Sequence, residues 1–199
     1  MRELERLTRR FATNISVIIG PQSDIPAPDV NTNPQIMAWI MDEYSKYYGF
    51  SPGVVTGKPV EVFGSFGREE ATGRGVMYAL EECLKSDNRG FSDVTVAIQG
   101  FGEVGSVAGR AFHREGAGII AVSDSQGGIL RAQGLDIDAV AAFKAEHGTV
   151  VGMPDTLTIT NAELLELECD ILVLAAMENQ IHNGNARQSH GLKDTPQFR

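Results

Sequence analysis

The chain has 199 residues, of which 42% are hydrophobic and 22% charged, and its formal net charge is −9 at pH 7. This composition is typical of a globular protein with one α/β domain and a small appendage. The negative charge argues against nucleic acid and anionic membrane surfaces as partners. The two cysteines and four histidines lack the spacing of a disulfide scaffold or metal site. We therefore predict a cytoplasmic protein with no metal site and no membrane span.

The first predicted element is an amphipathic helix over residues 2–19, in which apolar residues recur at spacings of three and four. A glycine–proline pair at residues 20–21 ends it. After a proline-rich loop, Asn33 and Pro34 have the pattern of an N-cap followed by proline in the first helical turn. A second helix is therefore predicted from Pro34 to about Tyr48.

Asp29 lies in the loop between these two helices, in the segment P-A-P-D-V-N-T-N-P. Prolines stiffen such a loop, and a rigid loop can aim a carboxylate into a cleft. The alternative is an aspartate that forms a turn or caps a helix. The spacing alone favours that structural alternative.

A segment rich in glycine and proline, residues 51–62, precedes a helical pattern from Arg68 to about Lys85. Gly73 and Gly75 lie inside this pattern, and a glycine within a helix costs about 1 kcal/mol relative to alanine. Close approach of another helix, a sheet or a ligand usually offsets that cost. Thr72 is the hydroxyl at this point of the helix, and its chemistry alone fits a structural role better than a ligand contact.

A glycine motif follows the apolar run Val94–Ile98, which is typical of a buried parallel strand. Gly100-x-Gly102-x-x-Gly105 comes directly after the run, and a helical pattern begins there. The first glycine allows a tight turn, the second lets the backbone approach a pyrophosphate, and the third lets the helix pack on the strand. This order predicts a dinucleotide site at the N-terminus of the helix. The alternative is a glycine-rich turn that binds nothing.

A second apolar run, Gly118–Val122, ends shortly before Asp124, which lies about 20 residues after the motif. At that distance a carboxylate can accept a hydrogen bond from the adenosine ribose. Residues 124–128 have the composition of a turn, and the next helix is predicted over residues 136–147. The sequence thus predicts a strand–helix–strand unit that carries both the phosphate loop and the ribose acceptor.

The last predicted strand is the apolar run Asp170–Leu174. Before it, Thr160 and Glu163 form a capping box that opens a short helix, residues 161–167. Ligands of open α/β sheets bind beyond the carboxyl ends of the strands, so the residues after Leu174 are expected to meet a cofactor. Asn179 offers both a donor and an acceptor there, although an ordinary capping asparagine is the alternative.

Five segments occur in order along the chain: P-A-P-D-V-N-T-N-P, T-G-K-P, G-R-E-E-A-T-G-R-G, Q-G-F-G-x-V-G and A-V-S-D-S-x-G-G-I. Together they resemble the glutamate dehydrogenase family, from residue 1 to about residue 179. The leucine and phenylalanine dehydrogenases share the architecture, but R-E-E-A-T-G-R-G is similar specifically to glutamate dehydrogenase. The resemblance implies reversible oxidative deamination of L-glutamate to 2-oxoglutarate and ammonia, with hydride transfer to NAD or NADP.

By this resemblance Asp29 is the catalytic residue that moves protons on and off the amino group, which outweighs the capping interpretation. The resemblance, together with the glycine motif, also yields a set of cofactor-binding residues. They are Thr72, Gly100, Phe101, Gly102, Glu103, Val104, Gly105, Asp124, Ala176 and Asn179. NAD is the predicted cofactor, with NADP as the alternative, because a carboxylate at position 124 accepts a ribose hydroxyl and repels a 2′-phosphate.

Two departures from the family pattern affect these expectations. The family's catalytic lysine lies in a G-G-A-K-G-G segment upstream of the position that matches Met1, and Lys58 in T-G-K-P is no substitute for it. We therefore expect the sequence to be part of a longer enzyme, with little or no turnover alone. The family often has asparagine where this chain has Glu103, whose carboxylate would repel a pyrophosphate unless it turned away. The N–H of that residue remains available.

The predicted fold class is α/β, a Rossmann-like parallel sheet flanked by helices over residues 57–182. A truncated N-terminal substrate-domain remnant, residues 1–56, is expected to precede it, and its two helices are expected to leave apolar surface uncovered. Residues 183–199 lose all periodicity and are predicted to be a poorly ordered tail.

The resemblance also implies partners. Glutamate, 2-oxoglutarate and ammonia are the expected substrates of the full-length enzyme, and further copies of the chain are expected because family members are usually hexamers. Two other functions stay open. The chain could be a non-catalytic dinucleotide-binding subunit that associates with a full-length enzyme, or a dehydrogenase of leucine, phenylalanine or valine.

Overall fold

The computed structural model describes residues 2–186. The chain divides into two compact units, one that ends at Glu69 and one that begins at Glu70, so the boundary falls in the first turn of the third helix. The boundary predicted between residues 56 and 57 stays a prediction. The predicted tail, residues 183–199, lies outside the described residues from position 187 onward.

The first unit contains two helices that pack together, α1 (Arg2–Ile15) and α2 (Pro34–Tyr48). The predicted N-cap of α2 is confirmed, because the Asn33 side chain accepts a hydrogen bond from the Ile36 N–H at 3.0 Å. Buried apolar side chains form the core of this unit. They include Ala12, Ile36, Met37, Ile40, Met41, Tyr44, Val54 and Val55.

Helix α1 differs from its prediction in length and in the face that it buries. It ends at Ile15 and not at residue 19, since the β-branched run Val17–Ile19 disfavours helix. Its buried residues are Thr8 and Ala12. Part of the apolar series that made the helix amphipathic is exposed, namely Leu4, Leu7 and Phe11. The expected uncovered apolar surface is therefore present on α1.

A five-stranded sheet forms the centre of the second unit, in the order β4-β3-β2-β1-β5. The three predicted strands are β1 (Thr95–Gln99), β2 (Gly118–Asp124) and β5 (Ile171–Leu174), and they are parallel, with β1 between the other two. The sequence analysis missed β3 (Gly127–Leu130), which is antiparallel to β2, and β4 (Leu157–Ile159), which is antiparallel to β3. The α/β class is confirmed, but the sheet is mixed and not wholly parallel.

The missed strands have weak sequence patterns. Residues 124–128, interpreted as a turn, contain a turn at Ser125 and Gln126, but the flanking residues form a tight hairpin in which Asp124 pairs with Gly127. Glycines open β3, and glycine is depleted in strands because it has no side chain to pack. Strand β4 has three residues, of which Leu157 and Thr158 are exposed. Neither segment therefore carries the alternation of a half-buried strand.

Helices cover both faces of the sheet. Along β1, Ile98 points into the core that contains Phe112 of the helix after the glycine motif, whereas Ala97 points to the opposite face, against Leu164. The last helix ends at Leu165, two residues before its predicted end, and its predicted capping box at Thr160 is confirmed. The four helices are α3 (Arg68–Ser86), α4 (Glu103–Arg114), α5 (Ile137–His147) and α6 (Asn161–Leu165).

Three further observations concern residues 2–186 only. No helix in this range is long and apolar enough to cross a membrane. The range holds no group of three or more histidine, cysteine, aspartate or glutamate side chains that could bind a metal ion. Cys83 and Cys169 are both free thiols.

Candidate functional site

The loop between β1 and α4 contains the three glycines of the predicted motif. Gly100 has a φ of 91°, which favours glycine, and a Cβ atom there would lie 2.4 Å from the carbonyl oxygen of Ala175. A Cβ atom on Gly105 would lie 1.9 Å from the carbonyl oxygen of Gly100. The first and third glycines therefore let the chain leave β1 sharply and let α4 start directly against the loop.

Gly102 has a different environment. It is the exposed N-cap of α4, no side chain caps the helix there, and a Cβ atom at this position would meet nothing within 4 Å. The first N–H groups of a helix have no partners within the helix, and they carry the positive end of its dipole. Bare backbone therefore faces open space at a helix end whose N–H groups and dipole favour an anion, an arrangement that fits the pyrophosphate of a dinucleotide. Any side chain at position 102 would project into that space.

Residues from two other elements hold the loop in place. The carbonyl oxygen of Ser123 in β2 accepts hydrogen bonds from the N–H groups of Gly100 at 3.1 Å and Phe101 at 2.6 Å. The Phe101 side chain is buried in the core beneath α4 and α5. The ammonium group of Lys144 in α5 donates to the carbonyl oxygen of Phe101 at 2.8 Å. Both backbone groups and the side chain of Phe101 are thus fixed.

Asp124, the predicted ribose acceptor, lies at the end of β2, but its carboxylate is buried and already has partners. Oδ1 accepts from the Gln126 N–H at 2.9 Å and the Thr149 hydroxyl at 3.2 Å. Oδ2 accepts from the Val150 N–H at 2.8 Å and lies 3.7 Å from the Lys144 ammonium. Burial raises the pKa of Asp124, but these hydrogen bonds and the Lys144 charge outweigh it and lower the pKa. The carboxylate is therefore ionised, and its charge is compensated within the protein.

The chain that leaves β5 passes directly beside the glycine loop. The Ala175 N–H donates to the carbonyl oxygen of Gln99 at 2.8 Å, and the next residue, Ala176, is exposed. Asn179 is exposed and has a positive φ of 61°. The Gln99 side chain is buried and donates to Gln180 at 2.8 Å, and its Oε1 has no hydrogen-bond partner within residues 2–186. The exit of β5 is therefore tied to the end of β1.

Three other predicted cofactor-binding residues lie on α3 and α4. Glu103 is the first residue of α4 and is exposed, and Val104 follows it and is half-buried. Thr72 is exposed on α3, beside Gly73, where a Cβ atom would lie 2.7 Å from the Cβ of Val107 in α4. Thr72 is therefore adjacent to the point where α3 and α4 cross. The roles of these residues stay predictions.

Asp29 belongs to the first unit, where it begins a tight turn. The Thr32 hydroxyl accepts from the Asp29 N–H at 2.6 Å and donates to the Asp29 carbonyl oxygen at 2.8 Å, and Asn31 between them has a φ of 58°. The side chain of Asp29 is exposed, and its carboxylate has no hydrogen-bond or ion-pair partner within residues 2–186. The turn therefore fixes the backbone and leaves the carboxylate free. Of the structural alternative, the turn is present, because the Thr32 N–H donates to the Asp29 carbonyl oxygen at 3.1 Å, whereas the helix cap is provided by Asn33 and not by Asp29.

The T-G-K-P segment, residues 56–59, contacts the loop that contains Asp29. The Thr56 N–H donates to the carbonyl oxygen of Pro26 at 2.9 Å. Gly57 has a φ of 67°, and a Cβ atom there would lie 2.4 Å from the ring of Pro28. The Lys58 side chain is buried and donates to a carbonyl oxygen in its own segment, and burial lowers its pKa. The Lys58 ammonium therefore already has a hydrogen-bond partner within the first unit.

The second unit brings together the glycine loop, Asp124 and the exit of β5 at the carboxyl edge of its sheet. Sequence reasoning missed two side chains there, Lys144 and Asn161. Asn161 accepts from the Ser123 hydroxyl at 2.7 Å and donates to the Asp124 carbonyl oxygen at 2.9 Å. The available signal for Lys144 was its place in the apolar series of α5, where a charged residue needs a partner. No signal marked Asn161 beyond its place in the first turn of α6.

Two protein-family models match most of the chain. The family model of the Glutamate/Leucine/Phenylalanine/Valine dehydrogenases matches residues 64–193, which is more than half of the chain. The chain belongs to the Glu/Leu/Phe/Val dehydrogenase family. A second model, the dimerisation domain of the Glu/Leu/Phe/Val dehydrogenases, matches residues 1–46. The resemblance identified from the five sequence segments is therefore confirmed.

Individual members of the Glu/Leu/Phe/Val dehydrogenase family agree with this assignment. A glutamate dehydrogenase of Thermotoga maritima is 54% identical over 188 residues, which is 94% of this chain and 45% of that protein. A cryptic catabolic NAD-specific glutamate dehydrogenase of Bacillus subtilis is 50% identical over 93% of this chain and 43% of its own length. The hetero-hexameric glutamate dehydrogenase of Thermus thermophilus has a TM-score of 0.88 at 39% identity, over 94% of this chain and 44% of its own. The chain thus spans less than half the length of these relatives.

Proposed function

We propose that this chain carries the dinucleotide-binding part of a glutamate dehydrogenase, which interconverts L-glutamate with 2-oxoglutarate and ammonia. The observation that carries the proposal is the bare backbone of Gly102 at the uncapped N-terminus of α4, directly after a buried parallel strand. The relatives named glutamate dehydrogenase at 54% and 50% identity support this substrate over leucine, phenylalanine or valine.

In this proposal the backbone N–H groups at the start of α4 hold the pyrophosphate, and the exits of β2 and β5 flank the two ends of the nucleotide. The bound nicotinamide would accept or return the hydride. Asp29 would move protons on and off the amino group of the substrate, a role that its exposed and unpaired carboxylate supports. The Thr32 hydroxyl and the contact between Gly57 and Pro28 would hold the backbone that carries this carboxylate.

We propose NAD as the cofactor. A carboxylate at position 124 favours a ribose hydroxyl over a 2′-phosphate, and one relative is named NAD-specific. The compensated charge of Asp124 reduces its repulsion of a phosphate, so a measurable affinity for NADP is compatible with the same site. The preference for NAD should therefore be moderate.

The direct test is a titration of the purified chain with NADH and, separately, with NADPH, followed by nicotinamide fluorescence. We expect saturable binding of both, tighter for NADH. Gly102→Ala should abolish binding at a cost in stability of no more than about 1 kcal/mol for the changed N-cap residue, because the new methyl group would meet no protein atom but would occupy the space of the pyrophosphate. Gly75→Ala is the matched control, since its Cβ also meets nothing within 4 Å and lies on α3. Equal binding by wild type and Gly102→Ala would contradict the proposal.

Turnover is a separate measurement. We expect the 199 residues alone to give little or no glutamate-dependent NADH production, because the proposed chemistry also needs the family's lysine segment. Adding excess NAD and glutamate and following absorbance at the NADH band would measure this rate. Turnover that Asp29→Asn abolished would refute the expected inactivity and would support the role of Asp29.

A second candidate function is a dinucleotide-binding subunit that associates with other dehydrogenase chains. The exposed apolar side chains of α1 lie in the segment that matches the dimerisation domain, and the Thermus thermophilus relative is described as a hetero-hexamer. We propose that Leu7 and Phe11 contact another chain of the family. Light scattering should show an oligomer that Leu7→Asp dissociates. A monomeric wild type would contradict self-association.

The free thiols of Cys83 and Cys169 support a reducing compartment such as the cytoplasm.

A further inference from the structure

Lys144 is placed where it can control the orientation of one peptide group in the glycine loop. It lies in the last turn of α5, 43 residues along the chain from Phe101, whose carbonyl oxygen its ammonium contacts at 2.8 Å. The Phe101 carbonyl and the Gly102 N–H belong to the same peptide bond. In a trans peptide these two groups point in opposite directions. A donor that holds the carbonyl on one side therefore aims the Gly102 N–H to the other side.

The direction of the Gly102 N–H is therefore set by the hydrogen bond to the Phe101 carbonyl. Within residues 2–186 this N–H donates to no protein acceptor. Gly102 is exposed, and the space beside it is open. Glycine resists rotation of the adjoining peptide less than other residues, because it has no Cβ atom. Without an external contact, this peptide would be the part of the loop most free to turn over.

The hydrogen bonds between the glycine loop and β2 do not fix the Phe101–Gly102 peptide group. The Ser123 carbonyl fixes the N–H groups of Gly100 and Phe101, but these belong to earlier peptide groups. The Lys144 ammonium also lies 3.7 Å from Asp124, so its charge is offset locally and adds little attraction for a phosphate. Its effect on the pyrophosphate should therefore come from the hydrogen bond that it donates, whereas its charge acts on Asp124.

We propose that Lys144 is a positioning residue of the dinucleotide site, which holds the Phe101–Gly102 peptide so that the Gly102 N–H points at the pyrophosphate. The inference rests on the proposed nucleotide binding, and it adds a residue that lies outside the glycine motif. Lys144 acts through the loop backbone and makes no direct contact with the nucleotide.

The test compares Lys144→Met and Lys144→Arg with wild type, using the full chain. Lys85→Met is the matched control, because it removes an exposed lysine whose partners are Glu81 and Glu82 on its own helix. Titrations with NADH, NADPH, ADP and adenosine separate the phosphate-bearing part of the ligand from the nucleoside. Lys144→Met should raise the Kd for NADH and ADP by about tenfold, and the Kd for NADPH by more, because the Asp124 carboxylate then loses the ammonium group beside it.

Three further results are expected. Adenosine affinity should not change, since adenosine has no phosphate for the loop to bind. Lys144→Arg should restore the Kd to within about threefold of wild type, because arginine keeps a charged donor. Lys85→Met should behave as wild type. A variant that weakened adenosine as much as ADP would show that the effect does not depend on phosphate binding by the loop and would overturn the proposal.

A measurement without nucleotide keeps the inference separate from the proposed function. In the nucleotide-free chain, the backbone amide resonances of Phe101 and Gly102 should show exchange broadening in Lys144→Met and not in Lys144→Arg or Lys85→Met. Unchanged resonances in Lys144→Met would refute the positioning role, even if the wild type bound NADH. Failure of the wild type to bind any nucleotide would refute the proposed function, and the amide resonances would still decide the role of Lys144.

Discussion

Replacing Gly105 by alanine tests whether the start of α4 depends on the absence of a side chain. In the structure a Cβ atom at this position would lie 1.9 Å from the Gly100 carbonyl oxygen and 3.2 Å from the Ile98 side chain. Real Cβ atoms essentially never approach another heavy atom within 3.0 Å. The difference, about 1.1 Å, is the smallest displacement of α4 or the loop that could accommodate the methyl group.

The size of the effect follows from two opposing terms. Overpacking of this kind costs about 1–3 kcal/mol, whereas alanine in a helix gains up to about 1 kcal/mol over glycine. We expect the free energy of unfolding to fall by about 1–2 kcal/mol, which lowers the Tm by about 3–6 °C in a chain of this size. A displacement of about 1 Å in the phosphate loop should weaken NADH binding, because the N–H groups at the start of α4 would no longer lie at hydrogen-bond distance from the pyrophosphate.

Thermal unfolding and NADH titration of Gly105→Ala would measure both effects. Gly75→Ala serves as the control, because Gly75 is an exposed helical glycine with no neighbour within 4 Å of its Cβ position. We expect this control to raise the Tm by about 2–4 °C and to leave NADH binding unchanged. A Gly105→Ala variant as stable as Gly75→Ala would refute the packing argument, and one that bound NADH normally would refute the role of the loop.

Three other predictions concern stability and are measured by urea unfolding or hydrogen exchange. The Arg89 guanidinium beside Asp170 holds the pKa of Asp170 at about 2, so Asp170→Asn should cost about 1 kcal/mol at pH 7, given its partial exposure. This carboxylate stabilises the fold above its unfolded pKa near 3.8, so the difference between wild type and variant should vanish as the pH falls toward 2; a constant difference would contradict the assignment. Thr160→Ala should destabilise by about 1 kcal/mol through loss of the capping box and should speed amide exchange in α6, whereas exchange unchanged there would count against it. Gly57→Ala should cost about 1–3 kcal/mol, because its positive φ and the ring of Pro28 leave no room for a methyl group, and a neutral result would show that the loop yields.

The accuracy of the sequence predictions follows the strength of the local pattern. Strands β1, β2 and β5 were found because each is an apolar run with clear ends, and α2 was found because Asn33 and Pro34 mark its start. Strands β3 and β4 were missed because their residues are glycine-rich or exposed, and only the pairing of β3 with β2 and of β4 with β3 makes them strands. The apolar series of α1 correctly predicted a helix, but it could not reveal that much of this face stays uncovered.

The candidate site divides in the same way. The glycine loop was predicted because its chemistry requires three glycines at fixed spacing after a strand, and Gly100 and Gly105 have the tight contacts that this requires. Asp124 was predicted from its distance along the chain, but the direction of its carboxylate depends on Thr149 and Val150. Lys144 was missed as part of the site because its partner, a backbone carbonyl, has no sequence signature.

By itself, the sequence determined the α/β class, the strand–loop–helix unit around Gly102, and the family to which the chain belongs. These features depend on residues close together along the chain, where apolar periodicity, glycine spacing and capping residues act directly on the backbone. Only the tertiary structure decided that the Asp124 carboxylate turns inward and that Lys144 holds the loop. The reason is that these contacts join residues from 20 to 43 positions apart, and packing of α5 against the sheet brings them together.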